Sequence, residues 1–408
     1  MIGGGPAGFF YAINLAQWAN SKKLSVEITI LEASNDFLKK LKISGGGRCN
    51  FTHNQFDIKE FIKHYPRGQK ELRSVFHQFQ AQDMVKWLED RGVETKIESD
   101  GRMFPASDDS QTLVDLFIDS AKEFNIQLLS NQRVESVVNN NGQFKIQTKS
   151  QSFTAQTVML ATGSARQGYV IAEMLGHKVT DLAPSLFSFK IQHDLLADQS
   201  GVSFKNATLE LRTENGFKLK GKGPLLITHW GLSGPAVLKI SAWAARELKT
   251  SGYQAKLYVN WMGDNSLEEI LKELNSFKQD YFKKSLVNQV PSTLTKNFWR
   301  SVLVSLQIAP DTKWGELKKK SVNRIAQTLY RCELTIRGKN RFKEEFVECG
   351  GVASKQVDFK TMQSKICPNL YFSGELLDID GITGGFNLQN SWSTAYVAAL
   401  NTAQITKP

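Results

Sequence analysis

The chain has 408 residues, a formal net charge of +11 and 41% hydrophobic residues, enough for two or three domains and ordinary for a soluble globular protein. No run approaches the roughly 18 apolar residues a membrane span needs, and the N-terminus lacks the basic and apolar regions of a secretory signal, so the expected location is the cytoplasm. The positive charge could attract RNA, anionic lipid or acidic substrates. The lysines are scattered, however, and no aromatic RNP motif is present, so a solvated lysine-rich face is preferred over a nucleic-acid partner.

In chain order, Gly3-Gly4-Gly5-Pro6-Ala7-Gly8 fits G-x-G-x-x-G through Gly3, Gly5 and Gly8: a tight turn, close backbone approach to a pyrophosphate, and close packing of the following helix. Pro6 to Asn20 reads as that helix and Val26 to Leu31 as a buried strand. Glu32 follows, where a carboxylate can accept from both ribose hydroxyls and disfavours a 2′-phosphate. Ser44-Gly45-Gly46-Gly47-Arg48-Cys49-Asn50 suits no ordinary helix or strand and is expected to be a loop lying close to a ligand. Helices are expected at about 70–80, 82–90 and 110–125, and strands at about 126–129, 133–138 and 144–148, with Asn139 to Gly142 as a hairpin turn. Thr157 to Leu160 is a buried strand that runs into the turn Ala161-Thr162-Gly163, where a parallel strand would end beside a nucleotide.

From about Leu186 the texture changes to alternating strand-like segments up to Val259, then to helical patterns between Ser266 and Leu329. Doubly wound order is expected to resume at Phe346 to Gly351 and at Leu370 to Gly374, with a last helix over 388–400. The resulting division is 1–185 and 336–408 as two parts of one nucleotide-binding domain, with 186–335 inserted as a substrate or cap domain.

The start of the last helix follows Gly384-Gly385-Phe386-Asn387, so its free N–H groups and dipole could stabilise the negative charge on the pyrimidine side of a reduced flavin. Glu375 or Asp380 could hold ribityl hydroxyls. The bland alternative, a turn leading into a buried helix, loses weight because the N-terminal glycine motif is also present. The Ser44–Asn50 loop could offer amides and Arg48 to the pyrophosphate or the isoalloxazine, or be a flexible glycine turn. Cys49 is read as a packed cysteine rather than a catalytic thiol. The four cysteines show no C-x-x-C spacing and the six histidines no H-x-x-x-H pairing, so free thiols and no metal are expected. His229, in the turn-rich Thr228 to Pro235, is a weak catalytic candidate beside the plainer reading of a structural hydrogen bond. Gly163 to Gly168 matches the glycine spacing but belongs to the Ala161-Thr162-Gly163 turn. No separate NAD(P)H domain is therefore expected, and a nicotinamide would have to reach the flavin through the substrate cleft.

The strings GGGPAG, LKISGGGRCNFTH (Leu41 to His53), the ATG turn, THWGLSGPA (Thr228 to Ala236), ECGGV (Glu348 to Val352) and YFSGELLDIDGITGGFNLQNSW (Tyr371 to Trp392) run in order over the chain. Together they resemble the bacterial BaiN/aminoacetone-oxidase-like flavoproteins. The resemblance implies an α/β, glutathione-reductase-type FAD-binding Rossmann-like fold with an inserted β-barrel-like plus helical domain. It also implies flavin-dependent redox chemistry on a small-molecule substrate, in a family that includes reductases of steroid-like enones and an amine oxidase. By position, Gly3, Gly5, Ala7 and Gly8 would meet the pyrophosphate, Glu32 the adenosine ribose, and the Val134 backbone the adenine. Ser44, Gly46, Gly47, Arg48 and Asn50 would line the flavin side, with Thr162, Gly163, Gly374, Glu375, Asp380, Gly385, Phe386 and Asn387 completing the pocket. The family's glycine-arginine-lysine before the Ser44 loop stands here as Leu38-Lys39-Lys40.

The leading expectation is an FAD-dependent oxidoreductase passing a hydride to or from flavin N5, with NAD(P)H as donor or oxygen as acceptor among the options. The alternatives are an RNA-associated flavoprotein and a non-catalytic flavin-binding protein. Only Met1 and Ile2 precede the glycine turn, so the first strand of the parallel sheet is expected to be nearly missing, with further residues upstream in the natural polypeptide.

Overall fold

The computed structural model describes residues 1–291, 293–340 and 347–405. The chain divides into two compact units, Met1–Ala183 with Lys343–Pro408, and Pro184–Phe342.

The first unit is built on a parallel sheet. In order across it lie Gln127–Leu129, Thr29–Leu31, the single residue Ile2, Val158–Leu160 and Leu370–Phe372. Antiparallel Gln363–Ser364 and Val357–Asp358 extend the far edge. Ile2 does the work of a central strand: its N–H donates to Met159 O and its carbonyl accepts from Ala161 N, both at 2.9 Å, while Gly3 N donates to Leu31 O and Leu31 N to Met1 O. Thr29–Leu31 and Val158–Leu160 are therefore joined through one residue, and the predicted 26–31 strand pairs only over Thr29–Leu31.

Pro6–Ser21 is a helix with Pro6 in its first turn, where a missing N–H costs nothing. It is buried from Ala7 to Ala16, as a helix between a sheet and a second helix must be. That second helix is Phe386–Ile405, and the Tyr11 hydroxyl donates to Thr402 Oγ1 at 2.9 Å. Phe10 and Phe117 pack on Trp392 with ring centroids 5.4 and 5.5 Å apart.

The expected helices appear as Gln69–Phe76, Ala81–Glu89 and Gln111–Glu123. The hairpin strands Val134–Asn140 and Gln143–Thr148 meet through Asn141 and Gly142, both at positive φ, the backbone a tight two-residue hairpin requires. The expected resumption of the sheet at Phe346 to Gly351 is not what forms: Val347–Cys349 is a short strand outside the parallel sheet, and Phe346 lies outside the described residues.

The second unit is a closed six-stranded antiparallel barrel with helices. Its order is Ser188–Ile191, Gly231–Ser233, Lys218–Thr228, Ser203–Arg212, Ala255–Asn260 and Cys332–Asn340, which returns to the first strand; the last strand runs across position 335. Alternate residues such as Leu209, Leu211, Leu257 and Val259 fill the interior, following the two-residue period of a strand with one face buried. The helices Leu267–Asp280, Lys296–Ser305 and Lys319–Tyr330 pack around Trp299 and Trp314, stacked 5.9 Å apart.

Candidate functional site

A slot of about 550 Å³ opens in the first unit along the ends of Ile2, Thr29–Leu31, Val158–Leu160 and Leu370–Phe372, the edge where doubly wound sheets bind nucleotides. Its walls come from segments far apart in sequence. The first turn contributes Gly3, Gly5 and Ala7, and the next strand contributes Glu32. The glycine loop contributes Ser44, Gly46 and Asn50, and the turn after Val158–Leu160 contributes Thr162 and Gly163. Gly374 and Glu375, then Gly385 and Asn387, close it from the C-terminal side.

Backbone shape makes room for a ligand. A Cβ at Gly5 or Gly46 would meet no protein atom within 4 Å, so both residues present bare backbone to the slot. Gly3 has φ +110, and a Cβ there would lie 2.5 Å from Ala161 O. Gly385 has φ +91, with a Cβ position 2.4 Å from Thr52 O. Two helix N-termini point at this space. Pro6–Ser21 has no side-chain cap at Gly5, and Phe386–Ile405 begins beside Gly385, so both supply N–H groups and positive dipole ends to a ligand carrying negative charge.

Glu32 is already held for its task. Its Oε2 accepts from Gly4 N at 2.9 Å, and its Oε1 accepts from Ser34 N and Ser34 Oγ at 2.8 Å each. Lys40 spans the opening: its ammonium donates to Ser164 Oγ and to Glu375 Oε2, both at 2.8 Å, while Glu375 Oε1 accepts from Glu348 N. Asn387 clamps the preceding turn, accepting from Gly381 N at 2.8 Å and donating to Gly381 O at 2.9 Å. With its amide oxygen toward Gly385, Asn50 accepts from Gly385 N at 3.0 Å and donates to Thr52 O and Met103 O.

Six of the sequence-predicted residues do not line the slot. Gly8 lies behind it, where a Cβ would fall 2.1 Å from Gly3 O; its part is helix packing. Gly47 accepts from Ser110 N. Arg48 turns away, paired with Glu98 at 2.6 Å and Asp108 at 3.3 Å over the Phe104 ring, because two nearby carboxylates and an aromatic face hold it there. Val134 is buried at the start of the hairpin. Asp380 is fully buried and paired with Arg67. Phe386 is buried between His53 and His64, at centroid distances of 4.9 and 4.3 Å.

Residues that the sequence reading missed include Lys40, Arg102 and Ser391. The basic pair Lys39-Lys40 stood out in sequence without an assigned role; Arg102 carried no signal. Cys49 sits at φ +60 with its thiol buried, and burial pushes the thiol up to about 12. All four cysteines are buried thiols. His229 lies at the exposed tip of the barrel hairpin between Lys218–Thr228 and Gly231–Ser233, its ring 6.0 Å from that of Trp230. No helix among the described residues is long and apolar enough to cross a membrane.

A parallel sheet whose glycine turns and two helix N-termini converge on an elongated slot, with an acidic residue after the second strand, defines a dinucleotide-binding protein of the Rossmann type. The chain belongs to the HI0933-like protein Rossmann domain family, which matches residues 1–401, as the resemblance to BaiN-like flavoproteins led one to expect. It is 28% identical to a 3-dehydro-bile acid delta(4,6)-reductase of Clostridium scindens over 99% of this chain and 98% of that one. It is also 28% identical to a ribosomal RNA dihydrouridine synthase of Escherichia coli, over 98% of this chain and 96% of that protein. Among solved structures, the 3-ketosteroid delta1-dehydrogenase of Sterolibacterium denitrificans shares the fold with a TM-score of 0.51 and 11% identity, over 99% of both chains.

Proposed function

We propose that this protein is a flavin-dependent reductase that adds hydrogen across a carbon–carbon double bond conjugated to a carbonyl group. The observation that carries the reading is the coincidence of the dinucleotide slot with two near-full-length relatives whose names describe that one change. A delta(4,6)-reductase of a 3-dehydro steroid saturates double bonds conjugated to a 3-oxo group. A dihydrouridine synthase saturates the C5=C6 bond that is conjugated to a uracil carbonyl.

In this reading the turn Gly3–Ala7 and the start of Pro6–Ser21 hold the pyrophosphate of FAD, and Glu32 the adenosine ribose. Glu375, steadied by Lys40, faces the ribityl chain, and the start of Phe386–Ile405 faces the flavin pyrimidine edge. When bound, FAD supplies a two-electron carrier able to give or take a hydride. The bare backbone at Gly46 lets a flat ring lie close to the chain while neighbouring apolar residues such as Ile382 keep water off it. A nicotinamide is the proposed reductant.

The test is anaerobic. Holoenzyme reduced by NADH, NADPH or light is mixed with a 3-oxo-4-ene steroid, with a uridine-containing RNA and with simple enones, and flavin reoxidation is followed. Reoxidation by at least one of these faster than by solvent is the expected result. Reduction of the oxidised holoenzyme by simple amines, with no reoxidation by any conjugated alkene, would sink the reading in favour of an amine oxidase.

A second reading, in which the conjugated alkene is a uracil within RNA, is favoured by the distribution of charge. Residues 184–342 hold 25 Lys and Arg against 13 Asp and Glu, whereas the remainder holds 26 against 27. The positive charge of the chain is thus a property of the inserted unit alone. Such segregation is what a unit that meets a polyanion needs, and it weighs against the evenly solvated lysine face preferred from composition.

A further inference from the structure

We infer that the inserted unit carries an RNA-docking face, and that this face is the groove beside the Lys319–Tyr330 helix; the inference rests on the second reading above. The helix is two-faced. Val322, Ile325, Ala326 and Leu329 are buried in the core of the unit, and the opposite side exposes Lys319, Lys320, Asn323, Arg324 and Gln327. These residues, with Thr328 and Leu306, surround an open groove of about 610 Å³.

Two features mark this groove. On the barrel wall, Lys222 pairs with Asp264, Lys256 with Glu333, and Arg212 and Arg331 with Glu210. Around the groove no carboxylate lines the wall, and among the described residues Lys319, Lys320 and Arg324 make no ion pair. Their charge is free to replace the counterions of a phosphate backbone. Arg324 is also fixed in place, because its Nη2 donates to Leu306 O at 3.0 Å at the end of the Lys296–Ser305 helix, which leaves its other N–H groups for a ligand.

The polar groups interleaved with the cations decide which polyanion fits. Asn323, Gln327 and Thr328 offer amides and a hydroxyl that can meet 2′-hydroxyls and base edges.

The experiment uses FAD-loaded full-length protein and a fluorescent, uridine-rich RNA oligonucleotide, with binding measured over a range of salt. The comparison is between wild type, Lys319→Glu/Lys320→Glu, and Lys222→Glu/Lys256→Glu on the barrel wall. Acidic residues are favourable in the first turn of a helix, so the groove variant is expected to fold; melting temperature and flavin content check this. The expected result is a loss of about tenfold or more in RNA affinity at 0.1 M salt for the groove variant, a shallower salt dependence by about 0.7 per lost phosphate contact, and little change for the barrel-wall variant. Reoxidation by a 3-oxo-4-ene steroid should be the same in all three. If wild type binds RNA and the groove variant binds it equally, the groove assignment is wrong while the RNA reading stands. If wild type shows no RNA binding, or binds only vesicles containing phosphatidylglycerol, the RNA reading itself falls and the docking face with it.

Discussion

The Lys40 ammonium lies 2.8 Å from the Glu375 carboxylate, bridging residues 335 apart in sequence over the opening of the cofactor slot. Lys40 is half exposed and Glu375 largely buried, at 52% and 14%, so solvent screens the attraction and the pair contributes modestly. Replacing Lys40 with Met should weaken FAD binding about two- to fivefold, the range of an exposed ion pair. Wild type in 1 M salt should lose most of the same increment. Equilibrium titration of apoprotein with FAD at low and high salt checks both, and an unchanged Kd would remove Lys40 from the cofactor site.

Gly8 to Ala should be far more damaging than its distance from the slot suggests. The added methyl would meet Gly3 O at 2.1 Å, and because both atoms belong to the same strand–turn–helix backbone, only movement of the turn or the helix relieves the clash. A loss of about 1–3 kcal/mol in stability is expected, together with a sharp fall in bound flavin. Thermal melting and the absorbance ratio of flavin to protein measure the two effects.

Arg67 and Asp380 form a buried pair, with Asp380 fully enclosed. Removing the guanidinium with Arg67→Ala leaves the carboxylate without its main counter-charge, at an expected cost of about 3–5 kcal/mol. The double variant Arg67→Met/Asp380→Asn should recover part of that loss, since no unmatched charge then remains. Urea denaturation of the three proteins distinguishes this from a direct cofactor contact: if Asp380→Asn lowered FAD affinity with no change in stability, the placement of Asp380 against Arg67 would not be its role.

His177 gives the first unit an acid-sensitive point. Ser364 Oγ already accepts from Ile366 N and Cys367 N, so its own hydrogen goes to His177 Nε2 at 2.8 Å, leaving Nδ1–H to donate to Ala172 O. That arrangement requires a neutral ring, and burial holds the imidazole below its usual 6.5. A lowered folded value means the contribution is complete above about 6.5 and disappears as pH falls through the lowered value. The melting temperature of wild type should therefore drop as pH falls below about 6.5 more steeply than that of His177→Gln. Parallel slopes would show that the ring is not the titrating group.

Most of the slot could be read from the sequence because glycine spacing encodes backbone approach. Gly3, Gly5, Gly163, Gly374 and Gly385 all lie in its walls, and so does Glu32, the acidic residue after the second strand. Side chains that depend on long-range partners were not legible. Arg48 was drawn off by Glu98 and Asp108, and Asp380 by Arg67, and neither pairing leaves a local signature in the chain. Ile2 was underestimated for a different reason: a strand was judged by its length, whereas hydrogen bonds on both sides let one residue join its neighbours. The uneven charge was present in composition throughout, but it acquires meaning only when the residues are counted by structural unit rather than along the chain.

Ile2 also bears on the order in which the protein is made. Its partners lie at residues 31 and 160, the next strand is at 370–372, and the helix it supports is held by Thr402. The nucleotide-binding unit therefore cannot assemble its sheet and packed helices until residues 370–402 have left the ribosome. The barrel unit, whose strands all lie between residues 188 and 340, can close beforehand. During synthesis a finished barrel would hang from an unfinished sheet whose apolar strands wait for their last neighbour. In that interval the apolar surface left uncovered belongs to the nucleotide-binding half and not to the barrel.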